Sequence, residues 1–174
     1  GGRVLGSVRM PFPGTDFASP LLQAQASGAK VIGFANAGTD TVNCIKQAGE
    51  FGITRRGQKL AGLLLQINDI HALGTETAQG LTLTESFYWD LNDRTRGFAR
   101  RVAPGMGSAM PNSSQAGNYA AALHYLKAVA ELGVAEAKRS GAAVVAKMKQ
   151  IPAEDDVFGR SEVRADGRVL HSAY

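Results

Sequence analysis

The chain has 174 residues, of which 44% are hydrophobic and 20% are charged. This balance is typical of a folded domain and excludes an intrinsically disordered chain. Nineteen basic and 15 acidic residues leave a net charge of +4, which does not by itself indicate a nucleic-acid-binding protein. The most apolar stretch, residues 60–65, is much shorter than the ~18 residues that a membrane-spanning helix needs.

The first half of the chain alternates short apolar runs with helical segments. Strands are predicted over residues 4–10, 30–35, 58–65 and 80–87. The helices between them are predicted to begin at polar caps and to end at glycines. The first helix begins at Thr15 or Asp16 and ends at Gly28, and the second begins at Thr39 or Asp40 and ends near Gly52. A short third helix over residues 68–73 ends at Gly74. This alternation favours a mostly parallel sheet with helices on both faces.

The second half has a different pattern. Helices are predicted over residues 92–102, 114–132 and 134–150, with Ser114 as a cap and Gly133 as a stop. Three successive helices cannot extend the same sheet, so a module boundary is expected at residues 88–90. After a polar segment that follows Pro152, the turn 165–167 lies between two short apolar runs and predicts a β-hairpin.

Residues that often carry chemistry are present but form no recognisable motif. The sequence contains no phosphate-binding loop, no dinucleotide fingerprint, no zinc-protease motif and no nucleophile elbow. His71, His124 and His171 are far apart and are interpreted as structural. No nucleophile is paired with a base, and neither a metal site nor catalysis is predicted.

Three further features are given structural interpretations. The single cysteine, Cys44, excludes an internal disulfide and is predicted to be a small buried apolar residue. The acidic run 154–156 is interpreted as a solvated loop rather than a cation site. The basic cluster is interpreted as the solvated face of a helix rather than a phosphate site; it consists of Arg94, Arg96, Arg100 and Arg101.

A series of short landmarks runs along nearly the whole chain. They are Gly6-Ser7-Val8-Arg9, the segment 11–17, Leu22 to Gln25 before Ala29 to Gly33, the turn Asn36-Ala37-Gly38, the segment 78–81, the helix 115–123 and Asp166-Gly167-Arg168. In this order they resemble the type I periplasmic solute-binding proteins of ABC importers. The branch is the one typified by the leucine/isoleucine/valine-binding protein.

The resemblance implies an α/β fold of the type I periplasmic binding protein class, present in part. Members have two Rossmann-like lobes, each a parallel sheet with helices on both faces, that close on a small molecule by hinge bending. Residues 1–87 would be most of the second lobe, residues 88–152 would return into the first, and residues 153–174 would form a hairpin on the second. Tyr88, Trp89 and Asp90 would form the hinge. Because only the second half of a member is represented, we expect the isolated piece to expose apolar faces and to be trimmed from a longer chain or to self-associate.

A ligand site is expected where the predicted parallel strands end. In open parallel sheets, ligands bind beyond the carboxyl ends of the strands, where helix N-termini favour an anionic group. The predicted ligand-binding residues are Asn36, Ala37, Gly38, Leu65, Gln66, Asn68 and Asp69. Asn36 and Gly38 are equally consistent with a plain turn and cap.

One departure from the family pattern bears on the ligand. Amino-acid-binding members carry an acidic residue near the end of the strand that matches residues 60–65, and an aromatic residue close to the position of Ala37. Here the strand ends in Leu63, Leu64 and Leu65. Burying an ammonium without a counter-charge costs several kcal/mol, so an amino acid is disfavoured unless Asp69 or a residue outside this chain supplies the charge. The predicted ligand is a small carboxylate with an aromatic or aliphatic body, with an amino acid as the alternative.

The resemblance implies a receptor rather than an enzyme. It would work outside the cytoplasm, in the bacterial periplasm, and deliver its ligand to the membrane permease of an ABC importer. No cofactor and no nucleic acid are implied, and no export signal is visible at Gly1-Gly2-Arg3. Two alternatives remain: a ligand-sensing regulatory domain of the same fold, which an upstream helix-turn-helix would indicate, and an α/β enzyme, which turnover of a ligand would indicate.

Overall fold

The computed structural model of the protein describes residues 2–107 and 109–174. The chain divides between Thr84 and Glu85 into two compact units. In the part of the chain described, no helix has both the length and the apolar character needed to cross a lipid bilayer.

The first unit, which extends to Thr84, contains a parallel sheet. Its strands are β1 (Val31–Phe34), β2 (Lys59–Gly62) and β3 (Leu81–Leu83), and its helices are α1 (Ala18–Ala26), α2 (Gly38–Glu50) and α3 (Ile67–Leu73). The strands lie in the order β1-β2-β3, with Phe34 opposite Gly62 and Gly62 opposite Leu83. The alternation predicted from the sequence is therefore confirmed, because each parallel connection carries a helix.

An aliphatic core lies between the sheet and the helices. Ile45 of α2 and Ile53 after it are almost completely buried, and Leu60 of β2 packs in the same cluster. Phe17 and Leu21 anchor α1 in this cluster, and Asp16 accepts a hydrogen bond from the backbone N–H of Ala18 at 2.9 Å. The start of α1 is thus close to the predicted cap.

The predicted strand over residues 4–10 is not formed. This segment has no regular structure, and Val4 is 84% exposed. No strand of the described residues pairs with it, and an isolated strand has no partner for its backbone hydrogen bonds.

Other boundaries also differ from the prediction. Strand β3 ends at Leu83 rather than Phe87, which lies in the aromatic core of the second unit. Strand β2 ends at Gly62 rather than Leu65, and Leu63 and Leu64 lie on the surface. Helix α2 begins at Gly38, with Ala37 as its N-cap, so Thr39 and Asp40 lie in its first turn and do not cap it. The apolar sequence continues beyond the end of the strand, and the two polar residues lie beyond the start of the helix, so neither pattern marks the boundary.

The second unit combines helices with a small antiparallel sheet. Its helices are α4 (Asp93–Val102), α5 (Ser113–Leu132), α6 (Val134–Arg139) and α7 (Gly141–Gln150), and its strands are β4 (Ala153–Asp155), β5 (Gly159–Val163) and β6 (Val169–Leu170). The strand order is β4-β5-β6. The predicted hairpin is confirmed by β5 and β6, whose connection is closed by a 2.8 Å hydrogen bond from the Arg164 N–H to the Arg168 carbonyl.

The prediction for the second unit needs three corrections, two to helices and one to the segment after Pro152. The cap of α5 is Asn112, whose side chain accepts from the backbone of Ser114 and Gln115, and not Ser114 itself. The predicted helix 134–150 breaks at Ser140, whose hydroxyl accepts from the Ala143 N–H and starts α7. The polar segment after Pro152 forms β4, which pairs with β5.

An aromatic cluster joins the helices and strands of the second unit. Phe87 and Phe98 meet edge to face with ring centroids 5.7 Å apart, and Phe87 meets Phe158 in the same way at 6.2 Å. Val157 and Ala116 complete the buried part of this cluster. The residues come from the first segment of the unit, from α4, from α5 and from the β4–β5 turn, so the aromatic rings hold distant parts of the chain together.

Polar side chains interpreted as solvated also make cross-links within this unit. Asp156 accepts from the Tyr119 hydroxyl at 2.8 Å and pairs with Arg101 at 2.6 Å. Asp155 accepts from the backbone N–H groups of Val157 and Phe158, and Arg96 pairs with Asp90. The acidic run and much of the basic cluster therefore have structural roles. Local sequence does not reveal those of Asp156 and Arg101, because their partners are distant.

Candidate functional site

The carboxyl ends of the three parallel strands lie at one edge of the first unit's sheet. Strand β1 ends at Phe34 beside Gly62, the last residue of β2. The backbone N–H of Leu63 donates to the Phe34 carbonyl at 2.9 Å and extends this pairing by one step. The segments that leave β1 and β2, residues 35–38 and 63–69, therefore start from adjacent positions. The predicted ligand-binding residues all lie in these two segments.

The start of α2 is the first feature of this edge. Ala37 is the N-cap in an extended conformation, and its side chain has no polar atom that could cap the helix. Gly38 has a φ of +57°, in the left-handed region that favours glycine. The uncapped N–H groups of this 13-residue helix form a positive end that favours an anionic group.

Two polar residues, the partly buried Asn36 and the buried Asp40, stabilise this end of α2. The Asn36 side-chain amide donates to the sulfur of Cys44, in the second turn of the helix, at 3.1 Å. Asp40 is 5% exposed and accepts from the backbone N–H of Gly14 at 2.9 Å. Asp40 is therefore used to hold the turn before α1.

Cys44 has the environment predicted for it, since it is buried and unbridged. Burial raises the pKa of the Cys44 thiol. The hydrogen bond from Asn36 acts in the opposite direction, and the Asp40 charge adds to the effect of burial. The thiol is therefore neutral at pH 7 and has a packing role.

The start of α3 is organised by a capping box. Gln66 is the N-cap, and its backbone N–H donates to the Asp69 carboxylate at 2.9 Å. The Gln66 side chain accepts from the third residue of the helix in return. Asp69, the residue that the sequence offered as a counter-charge for an ammonium, thus has a capping role. Its contact with a ligand stays a prediction.

The leucines after β2 face different environments. Leu65 is 3% exposed and lies in the core of the first unit, over Gly62. Leu63 and Leu64 are 68% and 58% exposed, and Leu63 lies against Gly33 of β1. The sequence interpretation missed this apolar surface because three consecutive leucines after an apolar strand look like its continuation.

The predicted hinge residues lie just inside the second unit and have partners there. Trp89 packs against the aromatic cluster, and its ring lies 5.8 Å from that of Tyr88. Asp90 pairs with Arg96 at 3.0 Å. The division between the units lies a few residues earlier, between Thr84 and Glu85. The hinge assignment and the division of the chain into lobes stay predictions.

The histidines are not grouped. His124 of α5 is buried with Nε2 2.8 Å from the Met148 carbonyl, whereas His171 lies on Phe158 and 3.0 Å from the Ser161 hydroxyl. Among residues 2–107 and 109–174, no group of three or more His, Cys, Asp or Glu side chains is placed to hold a metal ion.

The sequence profile of a family described as "Periplasmic binding protein" matches residues 1–174. The chain belongs to this family. The family resemblance and the α/β fold predicted from the landmark residues are thereby confirmed. No curated protein matches the chain.

Solved structures of periplasmic binding proteins support the same assignment. A periplasmic binding protein from Burkholderia mallei is 47% identical with a TM-score of 0.89, and the match covers 100% of this chain and 44% of that one. A second structure is that of a branched-chain amino acid ABC transporter periplasmic ligand-binding protein from Burkholderia xenovorans LB400. It is 42% identical with a TM-score of 0.79, and the match covers 99% of this chain and 45% of that one. The chain thus spans less than half the length of these relatives.

More distant structures share the fold. A solute-binding protein of an ABC transporter from R. palustris, solved in complex with 4-hydroxybenzoate, is 22% identical with a TM-score of 0.83. That match covers 100% of this chain and 48% of the other. Within this periplasmic binding protein chain, the parallel register brings the predicted residues 36–38 and 65–69 to one edge of the sheet.

Proposed function

We propose that this chain is part of an extracytoplasmic solute receptor of an ABC importer. It binds a small carboxylate with an aromatic or aliphatic body at the carboxyl edge of the first unit's sheet. A second lobe completes the binding site. The receptor acts in the bacterial periplasm, passes its ligand to a membrane permease and catalyses no reaction. It needs no cofactor and no nucleic acid for this role.

The observation that carries the proposal is the pairing of two features at one edge. The uncapped start of α2 supplies N–H groups and a positive helix end for a carboxylate. Leu63 and Leu64, in the adjoining segment, supply exposed apolar surface for the rest of the molecule. A carboxylate attached to a hydrophobic body matches both features at once.

The acidic residues of this edge favour the same ligand class. An ammonium needs a carboxylate partner when it is buried. Asp40 binds the Gly14 N–H, and Asp69 caps α3. Recruiting either one for an ammonium would cost an existing hydrogen bond, so a ligand without an ammonium group is favoured.

An amino acid is the second candidate ligand, and a specific observation favours it. The relative from Burkholderia xenovorans, 42% identical to this chain, is described as a branched-chain amino acid transporter's ligand-binding protein. If an amino acid binds, its carboxylate would lie at the start of α2 and its side chain against Leu63 and Leu64. The ammonium partner would then come from Asp69 or from a residue outside this chain.

Closure would couple binding to transport. A ligand that contacts both lobes stabilises the closed form by its differential affinity for that form, and the permease recognises the surface that results. The segment around Tyr88, Trp89 and Asp90 is the proposed hinge. Trp89 and Asp90 contact residues of the second unit, and the division between the units lies close by, after Thr84.

Calorimetric titration of the full-length protein tests the ligand class. We expect benzoate or 4-hydroxybenzoate to bind more tightly than leucine or valine. Binding of leucine alone would replace the carboxylate proposal by the amino-acid one. A complete lack of response to both sets, or turnover of a bound compound, would overturn the receptor role as stated.

A charge variant tests the location of the site. Asn36→Asp places a negative charge beside the proposed carboxylate position and should weaken carboxylate binding about tenfold or more. Asn43→Asp introduces the same charge farther along α2 and is the matched control, with an expected loss of less than about threefold. Equal losses in the two variants would argue against a carboxylate at the start of α2.

A further inference from the structure

A cavity of about 290 Å³ lies within the second unit. Its walls come from residues 86–87, 91–95, 157–161 and 170–174, so α4, the β4–β5 turn and the end of β6 converge on it. None of these residues belongs to the carboxyl edge of the first unit's sheet. The cavity is thus a feature separate from the proposed ligand site, and the inference drawn from it does not depend on that site.

One arginine of the cavity wall is held in place by the backbone. Arg94 Nε donates to the Val157 carbonyl at 3.2 Å. Gly159 has a φ of +78°, and a Cβ built there would lie 2.6 Å from Arg94 Nη1. The absence of a side chain at Gly159 therefore makes the space that the guanidinium occupies. This arrangement fixes the guanidinium beside the cavity, and no acceptor among residues 2–107 and 109–174 is bonded to its terminal nitrogens.

A second arginine lines the same cavity. Arg160 follows Gly159 on β5, opposite Glu154 of β4. Within the described part of the chain, no carboxylate lies within ion-pair distance of Arg94 or Arg160. Arg96 and Arg101 of the same unit, in contrast, both have carboxylate partners. Two unpaired guanidiniums on one concave surface form a site for an anion, because each presents a planar set of donors.

The rest of the cavity wall combines polar side chains, such as Asn92 and Thr95, with aromatic and aliphatic ones. The rings of Phe158 and His171 stack at 4.0 Å with an interplanar angle of 22°, and Leu91 and Leu170 contribute aliphatic surface. The Ser161 hydroxyl lies 3.0 Å from His171 Nδ1 and orients the imidazole. Burial lowers the pKa of His171, although the nearby Asp155 charge acts in the opposite direction. The imidazole is therefore neutral at pH 7 and adds a flat apolar face.

We propose that this cavity binds a small organic carboxylate, with the carboxylate between Arg94 and Arg160 and an apolar body against Phe158 and His171. The volume corresponds to the lower end of the range for small-molecule sites and suits a ligand the size of one aromatic ring. The aromatic surface of Phe158 and His171 favours a ligand with an apolar body over inorganic phosphate, which has none.

Nuclear magnetic resonance of the full-length protein, with benzoate as the probe, tests the proposal. The imidazole signals of His171, assigned with a His171→Gln variant, report on this cavity and not on the sheet edge. We expect them to shift and saturate as benzoate is added. Arg94→Gln and Arg160→Gln should each raise the apparent dissociation constant at least tenfold. Arg160→Gln keeps the test valid if the loss of the Arg94 hydrogen bond disturbs the fold.

The matched control is Arg100→Gln, which removes one positive charge from α4 at a position outside the cavity wall. It should change the dissociation constant less than twofold. The proposal would be overturned if benzoate did not shift the His171 signals. It would also be overturned if the three arginine variants changed the dissociation constant equally. Saturation by phosphate at lower concentration than by benzoate would also overturn it, because the apolar wall would then have no role. Loss of benzoate binding in Asn36→Asp with an intact His171 response would affect the proposed function alone.

Discussion

The two units of the chain bring distant residues together in different ways. In the first unit, the parallel register alone places the segments after β1 and β2 side by side, and the backbone of α2 supplies the positive end. In the second unit, side chains make the connections: aromatic rings packed edge to face, an aspartate shared by two partners, and arginines that reach across elements. Topology therefore determines the first candidate site, and individual long side chains determine the second.

The composition of the chain provides one natural reporter for each unit. The only tryptophan, Trp89, packs against the aromatic cluster of the second unit. The only cysteine, Cys44, is buried in the core of the first unit. Tryptophan fluorescence and thiol labelling in urea therefore follow the unfolding of the two units separately, and they test whether the units respond as independently as their construction suggests.

The largest effect is expected from opening either core. Phe87→Ala removes a fully buried ring from the aromatic cluster and should lower the free energy of unfolding seen by Trp89 by about 3–5 kcal/mol. Ile45→Ala should lower the free energy for exposure of Cys44 by about 2–5 kcal/mol. Each variant should leave the other reporter nearly unchanged.

A matched substitution makes this comparison specific. Phe12 is 80% exposed, so Phe12→Ala removes the same side chain with an expected effect below about 0.5 kcal/mol on either reporter. If Phe87→Ala shifts the Cys44 and Trp89 transitions equally, the chain unfolds as one cooperative body and the contrast between the units has no thermodynamic counterpart.

A smaller effect is expected from a glycine at the end of β2. A Cβ at Gly62 would lie 2.7 Å from the Leu65 Cβ, so Gly62→Ala forces the turn after the strand to shift. We expect a loss of about 1–3 kcal/mol in the Cys44 transition. The displaced segment carries Leu63 and Leu64, so carboxylate binding by the full-length protein should weaken as well.

Gly33→Ala is the control for this crowding. The new Cβ on the neighbouring strand would meet Leu63 at 3.5 Å, an ordinary contact, and should change stability by less than about 1 kcal/mol. Equal losses for Gly62→Ala and Gly33→Ala would mean that strand propensity, and not the close approach of Leu65, is the cause.

Sequence periodicity predicted much of the fold because the information is local. The strands β1, β2 and β3, the stop of α5 at Gly133 and the final hairpin all follow from short patterns of apolar residues, glycines and turn residues. The segment 4–10 failed for the opposite reason. Its alternation is typical of a strand, but a strand forms only with a partner, and pairing is not a local property.

The candidate sites show the same limit. The segments after β1 and β2 were predictable because parallel strands fix which chain ends meet. The cavity between Arg94 and Arg160 was not, since 66 residues of sequence number separate positions that only the folded unit brings together. Similarly, the partnership of Asp156 with Tyr119 and Arg101 gives no local signal, and a run of acids was therefore interpreted as solvated.

The smallest effect is expected at Asp156. Burial alone would raise the pKa of this carboxyl group, but hydrogen bonds from Tyr119 and Arg101 reverse the effect and lower it below its ordinary value of 3.8. The folded state thus binds its proton less readily than the unfolded state, so the stabilisation is fully present above pH 3.8 and is lost as the pH falls through the lower, folded value. Asp156→Asn should therefore destabilise the Trp89 transition at pH 7, with the difference from the parent chain shrinking below about pH 4.

The size of this effect separates a structural cross-link from an ordinary surface charge. The Asp156 side chain is 48% exposed, so solvent screens the pair and the loss at pH 7 should stay below about 1 kcal/mol. Glu162→Gln, an exposed carboxylate on β5, should cause no measurable loss at either pH. A loss for Asp156→Asn that does not depend on pH would assign the effect to changed packing around Tyr119.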